Sequence, residues 1–262
     1  MSGTPADARR FTAELAPQDD PAIGEEIIRV RFEDGDTEQL RLHDYERVYA
    51  LPGVYEQIVQ ERLGCRSPQQ LAEMLAGAVD GLGWERTDAR VLDIAAGNGV
   101  SGEALAAQGL HPVLGTDIVP VAREAALRDR PGLYDEYLTL DLLDIAPHER
   151  ARLMALGANV LSCVAPVGCH PSQLPAAALA AAAALLTPDA LVAYMHDPAF
   201  GVPDPVTPAL WSQTLGAHVH AQELARTPYL HRYTVNGRPF EMVGVIWRLR
   251  REPGGVAGAQ AQ

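Results

Sequence analysis

Three aspartates are the residues whose type and spacing first suggest chemistry. Asp93, Asp117 and Asp141 each lie at the end of a short apolar run that we interpret as a β-strand. Because ligands bind in the crevice at the carboxyl ends of the strands of an open sheet, we expect the three carboxylates to meet there. Carboxylates attract cations and accept hydrogen bonds, so they suit a ligand that is cationic at one end and carries donors along its length.

A turn of small residues follows Asp93 and opens a predicted helix. Residues 95–99 read Ala-Ala-Gly-Asn-Gly. Small residues allow the backbone to approach a ligand closely, and the first turn of a helix presents N–H groups that have no partner inside the helix. In this turn, the predicted ligand-binding residues are Ala95, Gly97, Asn98 and Gly99.

The same turn also fits a second class of ligand. Residues 97–102 satisfy the pattern G-x-G-x-x-G of dinucleotide-binding proteins, so a nicotinamide-dependent dehydrogenase is an alternative. Asp93 argues against it, because a carboxylate at this place would repel a pyrophosphate and attract an ammonium group.

The elements that must position these residues alternate from residue 90 onward, which is typical of a parallel sheet covered by helices. The predicted strands cover residues 91–94, 113–116, 137–140, 159–164 and 191–195. The predicted helices cover residues 101–108, 120–127, 147–156 and 173–186. Two later runs, 231–235 and 240–247, flank Asn-Gly at 236–237, which predicts an antiparallel hairpin. The fold class is therefore α/β, with a Rossmann-like, mostly parallel sheet.

The part of the chain before this sheet has a different pattern. Residues 27–32 and 40–42 alternate on either side of Asp-Gly-Asp at 34–36, which predicts a hairpin. Residues 43–64 have a helical, aromatic pattern, and Ser67 has the sequence context of a helix N-cap. We expect a flexible arm at 1–22, a hairpin with a helical cap at 23–84, the main domain at 85–252 and a disordered tail at 253–262.

The motifs resemble those of class I S-adenosylmethionine (SAM)-dependent methyltransferases. Residues 93–99 resemble motif I of that family, Asp117 resembles its ribose-binding acid, and Asp141 resembles the acid that reads adenine. One departure is Ala95, which stands where the family usually has glycine. Within the family, the chain resembles a mostly uncharacterised bacterial branch, on the strength of residues 43–45, 52–56, 96–99, 128–132 and 231–232.

This resemblance implies a fold, a cofactor and an activity. The family has a seven-stranded sheet whose last two strands form a hairpin, and it transfers the methyl group of SAM to an acceptor with release of S-adenosylhomocysteine (SAH). The acceptor would lie over the ends of the fourth and fifth strands, under an N-terminal cap. The cofactor-binding set is completed by three residues beside the strand ends: Ile118, Leu142 and Val164.

Candidates for the chemistry itself lie near the acceptor. His196 follows the fifth predicted strand and is the first choice for a general base, with His170 as the second. Tyr45, Tyr49 and Tyr55 have helical spacing in the cap and are expected to wall the methyl-transfer site. No catalytic residue is fixed by these patterns, so a SAM-binding protein without catalysis, acting as a sensor or assembly partner, stays an alternative.

Composition excludes several other functions. The net charge is −13, and all 21 basic residues are arginine, so a Walker A lysine or a lysine Schiff base is excluded. This acidity opposes nucleic-acid binding and disfavours a large polyanionic substrate. For the methyltransferase that the resemblance implies, we expect a small or medium-sized acceptor with an oxygen or nitrogen nucleophile. Neither Asn-Pro-Pro-Tyr nor Pro-Cys follows the fourth strand, so the usual chemistry on nucleobases is unsupported.

The remaining features concern location and metal. Three cysteines are too few and too unevenly spaced for a disulfide framework or a zinc site, so we expect no metal. The sequence has neither a signal-peptide pattern nor a long uncharged apolar run, so we expect a cytoplasmic protein without a membrane span.

Overall fold

The computed structural model describes residues 10–168, 173–198, 201 and 203–251. The first elements are β1 (Phe11–Leu15), β2 (Ile27–Phe32), β3 (Thr37–Arg41), α1 (Tyr45–Ala50), a π-helix (Glu56–Arg62) and α2 (Ser67–Gly81). They are followed by β4 (Arg90–Ile94), α3 (Val100–Ala107), β5 (His111–Asp117), α4 (Pro120–Asp129), β6 (Glu136–Thr139) and α5 (Pro147–Ala155). The last elements are β7 (Val160–Gly168), β8 (Leu174–Pro175), α6 (Ala176–Ala183), β9 (Asp189–His196), α7 (Pro208–Leu215), β10 (His220–Tyr233) and β11 (Pro239–Arg250).

Seven strands form the main sheet in the order β6, β5, β4, β7, β9, β11, β10, and the short β8 pairs with the end of β7. The first five of these strands are parallel to one another. β11 is antiparallel to both β9 and β10, so the sheet ends in an antiparallel hairpin. The predicted fold class is therefore confirmed, including the seven-stranded sheet and the hairpin that the resemblance implies.

The strand order changes direction at β4. The chain continues from β4 to β5 and β6 on one side, and then crosses to β7 and β9 on the other side. A crevice is expected at the carboxyl ends of the strands at such a switch point. The fold therefore places the turn after β4 at the centre of the edge where a ligand is expected.

Helices cover both faces of the main sheet, so its parallel strands are apolar on both faces. On one face, Leu92 of β4 belongs to a cluster with Leu179 of α6 and Trp211 of α7. On the other face, Val91 packs with residues of α2 and α3, among them Leu75. This two-sided burial supports the strand ends that carry the predicted site.

The N-terminal region forms a separate three-stranded sheet in the order β1, β2, β3. The predicted hairpin is confirmed, with β2 antiparallel to β3 and Gly35 at φ +95° in the turn. The prediction of a flexible arm at 1–22 is wrong for Phe11–Leu15, which forms β1 and pairs antiparallel with β2. Hydrogen bonds to the free edge of β2 stabilise this strand, and a local sequence pattern does not show them. Residues 1–9 and the predicted tail at 253–262 lie outside the described residues.

Two helical predictions also need correction. Residues 43–64 do not form one helical stretch, because Pro52 and Gly53 (φ +79°) separate α1 from the π-helix. Ser67 is not the N-cap of α2 but its first residue, and Arg66 occupies the cap position. The hydroxyl of Ser67 instead bonds to side chains of β10, as described below.

The last part of the chain contains two elements that differ from the prediction. β10 begins at His220, whereas the sequence pattern places its start at residue 231. It lies at the edge of the sheet, where polar residues and Pro228 are tolerated, so its pattern is not that of a buried strand. α7 was not predicted, and Thr207 caps it by accepting a hydrogen bond from the Leu210 N–H at 3.3 Å.

Candidate functional site

A cavity of about 490 Å³ lies at the carboxyl edge of the main sheet, under the N-terminal cap. Residues that follow β4, β5 and β6 line it together with residues of the cap and of β7, β9, β10 and β11. Nine of the predicted site residues line this one cavity: Tyr45, Tyr49, Tyr55, Ala95, Asp117, Ile118, Asp141, Leu142 and Val164.

Asp117, the last residue of β5, is held in place by the backbone around it. Its Oδ2 accepts a hydrogen bond from the Gly97 N–H at 2.9 Å, and its Oδ1 accepts one from the Val119 N–H at 2.9 Å. Burial raises the pKa of this carboxyl, and the backbone donors lower it in part. Each carboxylate oxygen has a further lone pair, so Asp117 can still accept hydrogen bonds from a ligand.

Asp141 follows β6 and lies at the rim of the cavity. Its Oδ1 accepts a hydrogen bond from the Leu143 N–H at 2.9 Å, which fixes the turn after the strand. The side chains of Ile118 and Leu143 also line the cavity, and they are 65% and 58% exposed. These two exposed apolar side chains lie beside the carboxylates of Asp117 and Asp141. They provide surfaces on which a flat ring can pack.

Asp93 lies beneath the glycine turn and does not line the cavity. Its Oδ2 accepts hydrogen bonds from the Ser101 hydroxyl at 2.6 Å and the Tyr134 hydroxyl at 2.7 Å. Burial raises the pKa of its carboxyl to about 6. The structure therefore brings Asp117 and Asp141 to the cavity but not Asp93, which supports the turn from below.

The turn itself has left-handed backbone at three positions. Ala95, Gly97 and Gly99 have φ values of +50°, +55° and +90°. At Ala95 this conformation costs about 1–2 kcal/mol, because a Cβ crowds the following carbonyl oxygen. At Gly97 a Cβ would lie 2.3 Å from the hydroxyl oxygen of Tyr49, so only glycine allows the cap to approach this closely.

Gly97, Asn98 and Gly99 do not line the cavity. Gly97 and Asn98 pack beneath the cap, whereas Gly99 packs against Arg130 and Tyr134. Asn98 is 2% exposed, and its amide donates a hydrogen bond to Glu56 Oε1 at 2.8 Å. Arg130 donates to the same Glu56 oxygen at 2.9 Å and to the Asn98 carbonyl at 3.0 Å. These three side chains, Glu56, Asn98 and Arg130, form a clamp that joins the π-helix, the glycine turn and the end of α4.

A second contact joins α4 to the cap. Arg128 donates a hydrogen bond to the Tyr49 carbonyl at 3.1 Å, and its guanidinium also pairs with Asp129. Contacts with the cap thus explain the two arginines at positions 128 and 130.

The three cap tyrosines form one aromatic wall of the cavity. The ring centroids of Tyr45 and Tyr49 are 5.3 Å apart, and those of Tyr49 and Tyr55 are 5.5 Å apart. Burial raises the pKa of all three hydroxyls, that of Tyr45 to about 12. The tyrosine hydroxyls are therefore uncharged near neutral pH, and the faces of the rings can pack against an apolar or a cationic group.

Of the two predicted general bases, only His196 is among the described residues. His196 is 8% exposed and does not line the cavity. Its Nδ1 is buried without a hydrogen-bond partner among the described residues. His170 lies outside the described residues, so its role stays a prediction.

Sequence analysis missed a polar group on the other side of the cavity. Ser67 Oγ lies 2.6 Å from His231 Nδ1 and accepts a hydrogen bond from the Tyr229 hydroxyl at 2.9 Å. Arg232 pairs with Glu26 at 2.5 Å, and both side chains are almost fully buried. The sequence predicts a strand at residues 231–235, but no local pattern pairs His231 with Ser67 or Arg232 with Glu26.

Two expectations concern what the chain lacks. In the described ranges, no helix is long and apolar enough to cross a membrane. Over the same ranges, no group of three or more His, Cys, Asp or Glu side chains is arranged to hold a metal ion. Cys65 and Cys163 are buried free thiols, and Cys169 lies outside the described residues.

Comparisons with known proteins give similarity in structure alone. No family model and no curated protein matches this sequence. A SAM-dependent methyltransferase from Anabaena variabilis is 12% identical, with a TM-score of 0.49 over 81% of this chain and 96% of that chain. The protein PH1948 from Pyrococcus horikoshii, a proposed RNA methyltransferase, is 14% identical, with a TM-score of 0.47 over 73% and 86%.

A third solved structure is that of the plantazolicin methyltransferase BpumL in complex with SAH. It is 12% identical, with a TM-score of 0.45 over 80% of this chain and 95% of that chain. Similarity at this level carries neither a cofactor nor an acceptor over to this chain. The class of fold rests on the strand order itself, which is the seven-stranded order with a terminal hairpin that the methyltransferase resemblance implies.

Proposed function

We propose that this protein is a SAM-dependent methyltransferase that acts on a small or medium-sized acceptor through an oxygen or nitrogen nucleophile. One observation carries the proposal: Asp117 and Asp141, at the ends of neighbouring strands, line one cavity together with the three tyrosines of the cap. We also propose that residues 23–84 act as the cap and residues 85–252 as the cofactor-binding domain.

The cofactor fits the residues that line this part of the cavity. Asp117 would accept hydrogen bonds from the ribose hydroxyls, and Asp141 would accept from the adenine amino group. Ile118, Leu142 and Leu143 offer apolar surface for the adenine ring. When bound, SAM supplies an electrophilic methyl group on a sulfonium. The uncharged tyrosine wall would shield that end of the cavity from water and suits a neighbouring cation.

The geometry also argues against a dinucleotide on the glycine turn. The three glycines of the G-x-G-x-x-G pattern each accommodate a side chain of this protein: Tyr49 at Gly97, Arg130 at Gly99 and Tyr134 at Gly102. At Gly102 an added Cβ would lie 2.3 Å from the Tyr134 hydroxyl oxygen. Internal packing thus explains the pattern, and a pyrophosphate is not needed to explain it.

Ligand binding tests the proposal directly. We expect SAM and SAH to raise the melting temperature and NAD to leave it unchanged, because a ligand that binds only the folded state stabilises it. At about a hundred times its Kd, SAH should add ~2.7 kcal/mol to the free energy of unfolding. Stabilisation by NAD but not by SAH would contradict the proposal. Release of SAH with a panel of acceptors then separates an enzyme from a protein that only binds the cofactor.

A further inference from the structure

The cavity has a second half, built by elements other than those that carry Asp117 and Asp141. We call it the distal half and define it by His43, Cys65, Ser67, His231, Phe240 and Met242, which all line the cavity. Its strands are β10 and β11, and strands β4, β7 and β9 lie between β11 and β5 in the sheet. The distal half therefore lies beside the cofactor-binding half, along the same edge of the sheet.

A chain of hydrogen bonds fixes one ring of the distal half. The Tyr229 hydroxyl lies 2.9 Å from Ser67 Oγ and 3.1 Å from Met195 Sδ. It donates to Ser67 Oγ, because a thioether sulfur is a weak acceptor. Ser67 Oγ in turn lies 2.6 Å from His231 Nδ1. Since Ser67 accepts from Tyr229, its own hydrogen can be donated to Nδ1, and a neutral imidazole then carries its hydrogen on Nε2. This assignment makes Nε2 a hydrogen-bond donor that no described residue uses.

Burial and the neighbouring charges keep the His231 ring neutral. The pKa of His231 is lowered to about 3, mainly by burial and in part by the nearby Arg232 and His43. The pKa of His43 is also lowered, mainly by burial, although Glu26 opposes this shift. His231 thus presents a neutral N–H to the cavity near pH 7 and is not suited to accept a proton.

Among the described lining residues, no cation is left unpaired. Arg232 is the only arginine of this set, and it is paired with Glu26 at 2.5 Å with both side chains buried. The whole sequence contains no lysine. A carboxylate or phosphate on a ligand would therefore lose its hydration without gaining a counterion. An ammonium group would be disfavoured as well, because none of the six residues that define the distal half is acidic and Glu26 is already paired with Arg232.

The remaining surface of the distal half is apolar and partly aromatic. Phe240 and Met242 are almost fully buried, as is Met195 of β9 beside them. The ring of Phe240 contacts the His231 ring edge-on, with centroids 5.5 Å apart. Together with the tyrosine wall of the cap, these side chains suit a flat apolar molecule.

We propose that the distal half binds the methyl acceptor, and that this acceptor is an uncharged planar molecule with an oxygen atom to which His231 Nε2–H donates a hydrogen bond. That the bound molecule is the methyl acceptor rests on the proposed function, whereas the preference for an uncharged planar molecule does not. Ser67 is a positioning residue in this scheme, because it acts only through His231.

Three naphthalene probes that differ in one group test the preference. Binding of 2-naphthol, 2-naphthoate and protonated 2-(aminomethyl)naphthalene is measured by calorimetry at pH 7.5, with and without saturating SAH. We expect 2-naphthol to bind at least about ten-fold more tightly than either charged probe, because an unpaired buried charge is costly.

Variants then test the role of His231. His231→Phe should weaken 2-naphthol binding by about three- to ten-fold, the value of one hydrogen bond, and leave SAH binding unchanged. His231→Gln should restore part of the loss, because its amide can donate close to the position of Nε2. Ser67→Ala should give a smaller loss. His218→Phe, at an exposed site, is the matched control and should bind as the wild type does.

The inference is wrong if a charged probe binds as tightly as 2-naphthol, or if no probe binds at its solubility limit. It is also wrong if His231→Phe and the wild type bind 2-naphthol with equal affinity. If His231→Phe fails to fold, the same comparison is made with His231→Gln, which should still bind more weakly than the wild type. If the wild type does not bind SAH but binds 2-naphthol through His231, the proposed function fails and the binding preference stands.

Discussion

At the scale of single residues, Asp117 carries most of the proposed cofactor contact. We expect Asp117→Ala to weaken SAH binding by about 1–3 kcal/mol, because hydrogen bonds from ribose hydroxyls to a carboxylate would be lost. Asp117→Asn should lose less, since one oxygen acceptor remains. Calorimetric titration with SAH measures both.

A control is needed because Asp117 also binds the backbone N–H groups of Gly97 and Val119. Asp88→Ala is suitable, since Asp88 is exposed and precedes β4 at the opposite edge of the sheet. It should bind SAH as the wild type does. Unchanged affinity in Asp117→Ala would remove Asp117 from the site.

Ala95 has a left-handed backbone conformation although its side chain is not that of glycine. Its φ of +50° is the conformation that glycine adopts readily, and the methyl group is accepted at a cost in strain. The turn keeps this shape because Asp117 binds Gly97 and because the Ala96 N–H donates to the Thr116 carbonyl at 3.0 Å. The neighbouring strand β5 thus holds the turn in place.

At the scale of elements, the clamp of Glu56, Asn98 and Arg130 sets how the cap lies on the sheet. Glu56→Ala should leave the Asn98 amide without this partner, whereas Arg130 keeps its bond to Glu103. We expect faster hydrogen exchange in residues 45–62 and SAH affinity lower by about 1–3 kcal/mol. Hydrogen exchange read by mass spectrometry, with and without SAH, checks this.

Glu61→Ala is the matched control for the clamp, because Glu61 is exposed on the same π-helix. It should leave exchange in the cap and SAH affinity as in the wild type. If Glu56→Ala and Glu61→Ala behaved alike, the clamp would have no role in holding the cap.

The sequence predicted the elements whose signals are local. The buried run at β4 and the small-residue turn after it are contiguous, so their structure follows from neighbouring residues. Asp117 and Asp141 could be assigned to one edge because parallel strands end together. The contact of Ser67 with His231 joins residues 164 apart, so no local pattern could show it. β1 was missed for the same reason, because its stability depends on pairing with β2.

At the scale of the whole molecule, Asp93 links folding to pH. Its pKa is raised from 3.8 to about 6 in the folded protein, so between these values the folded chain holds a proton that the unfolded chain has released. The free energy of unfolding therefore falls as pH rises from about 4 through the folded-state pKa to about 7, and above that pH the loss is constant. The size of this contribution is about 2–3 kcal/mol.

Comparison with Asp93→Asn isolates this effect from the other carboxyl groups. We expect the wild type to lose about 2–3 kcal/mol relative to Asp93→Asn between pH 4 and 7, measured by urea unfolding at each pH. Asp88→Asn, at an exposed site, should follow the wild type. Parallel curves for the wild type and Asp93→Asn would show that the buried carboxyl does not titrate in this window.

The buried pair of Glu26 and Arg232 has a consequence for synthesis on the ribosome. The two residues are 206 positions apart, so Glu26 leaves the exit tunnel long before its counterion exists. At about 5–20 residues per second, the interval is roughly 10 to 40 seconds. During that time the N-terminal sheet has a carboxylate whose burial is unfavourable, because its counterion is absent. Newly made chains should therefore acquire their ligand-binding shape only after β10 has emerged, in one late step.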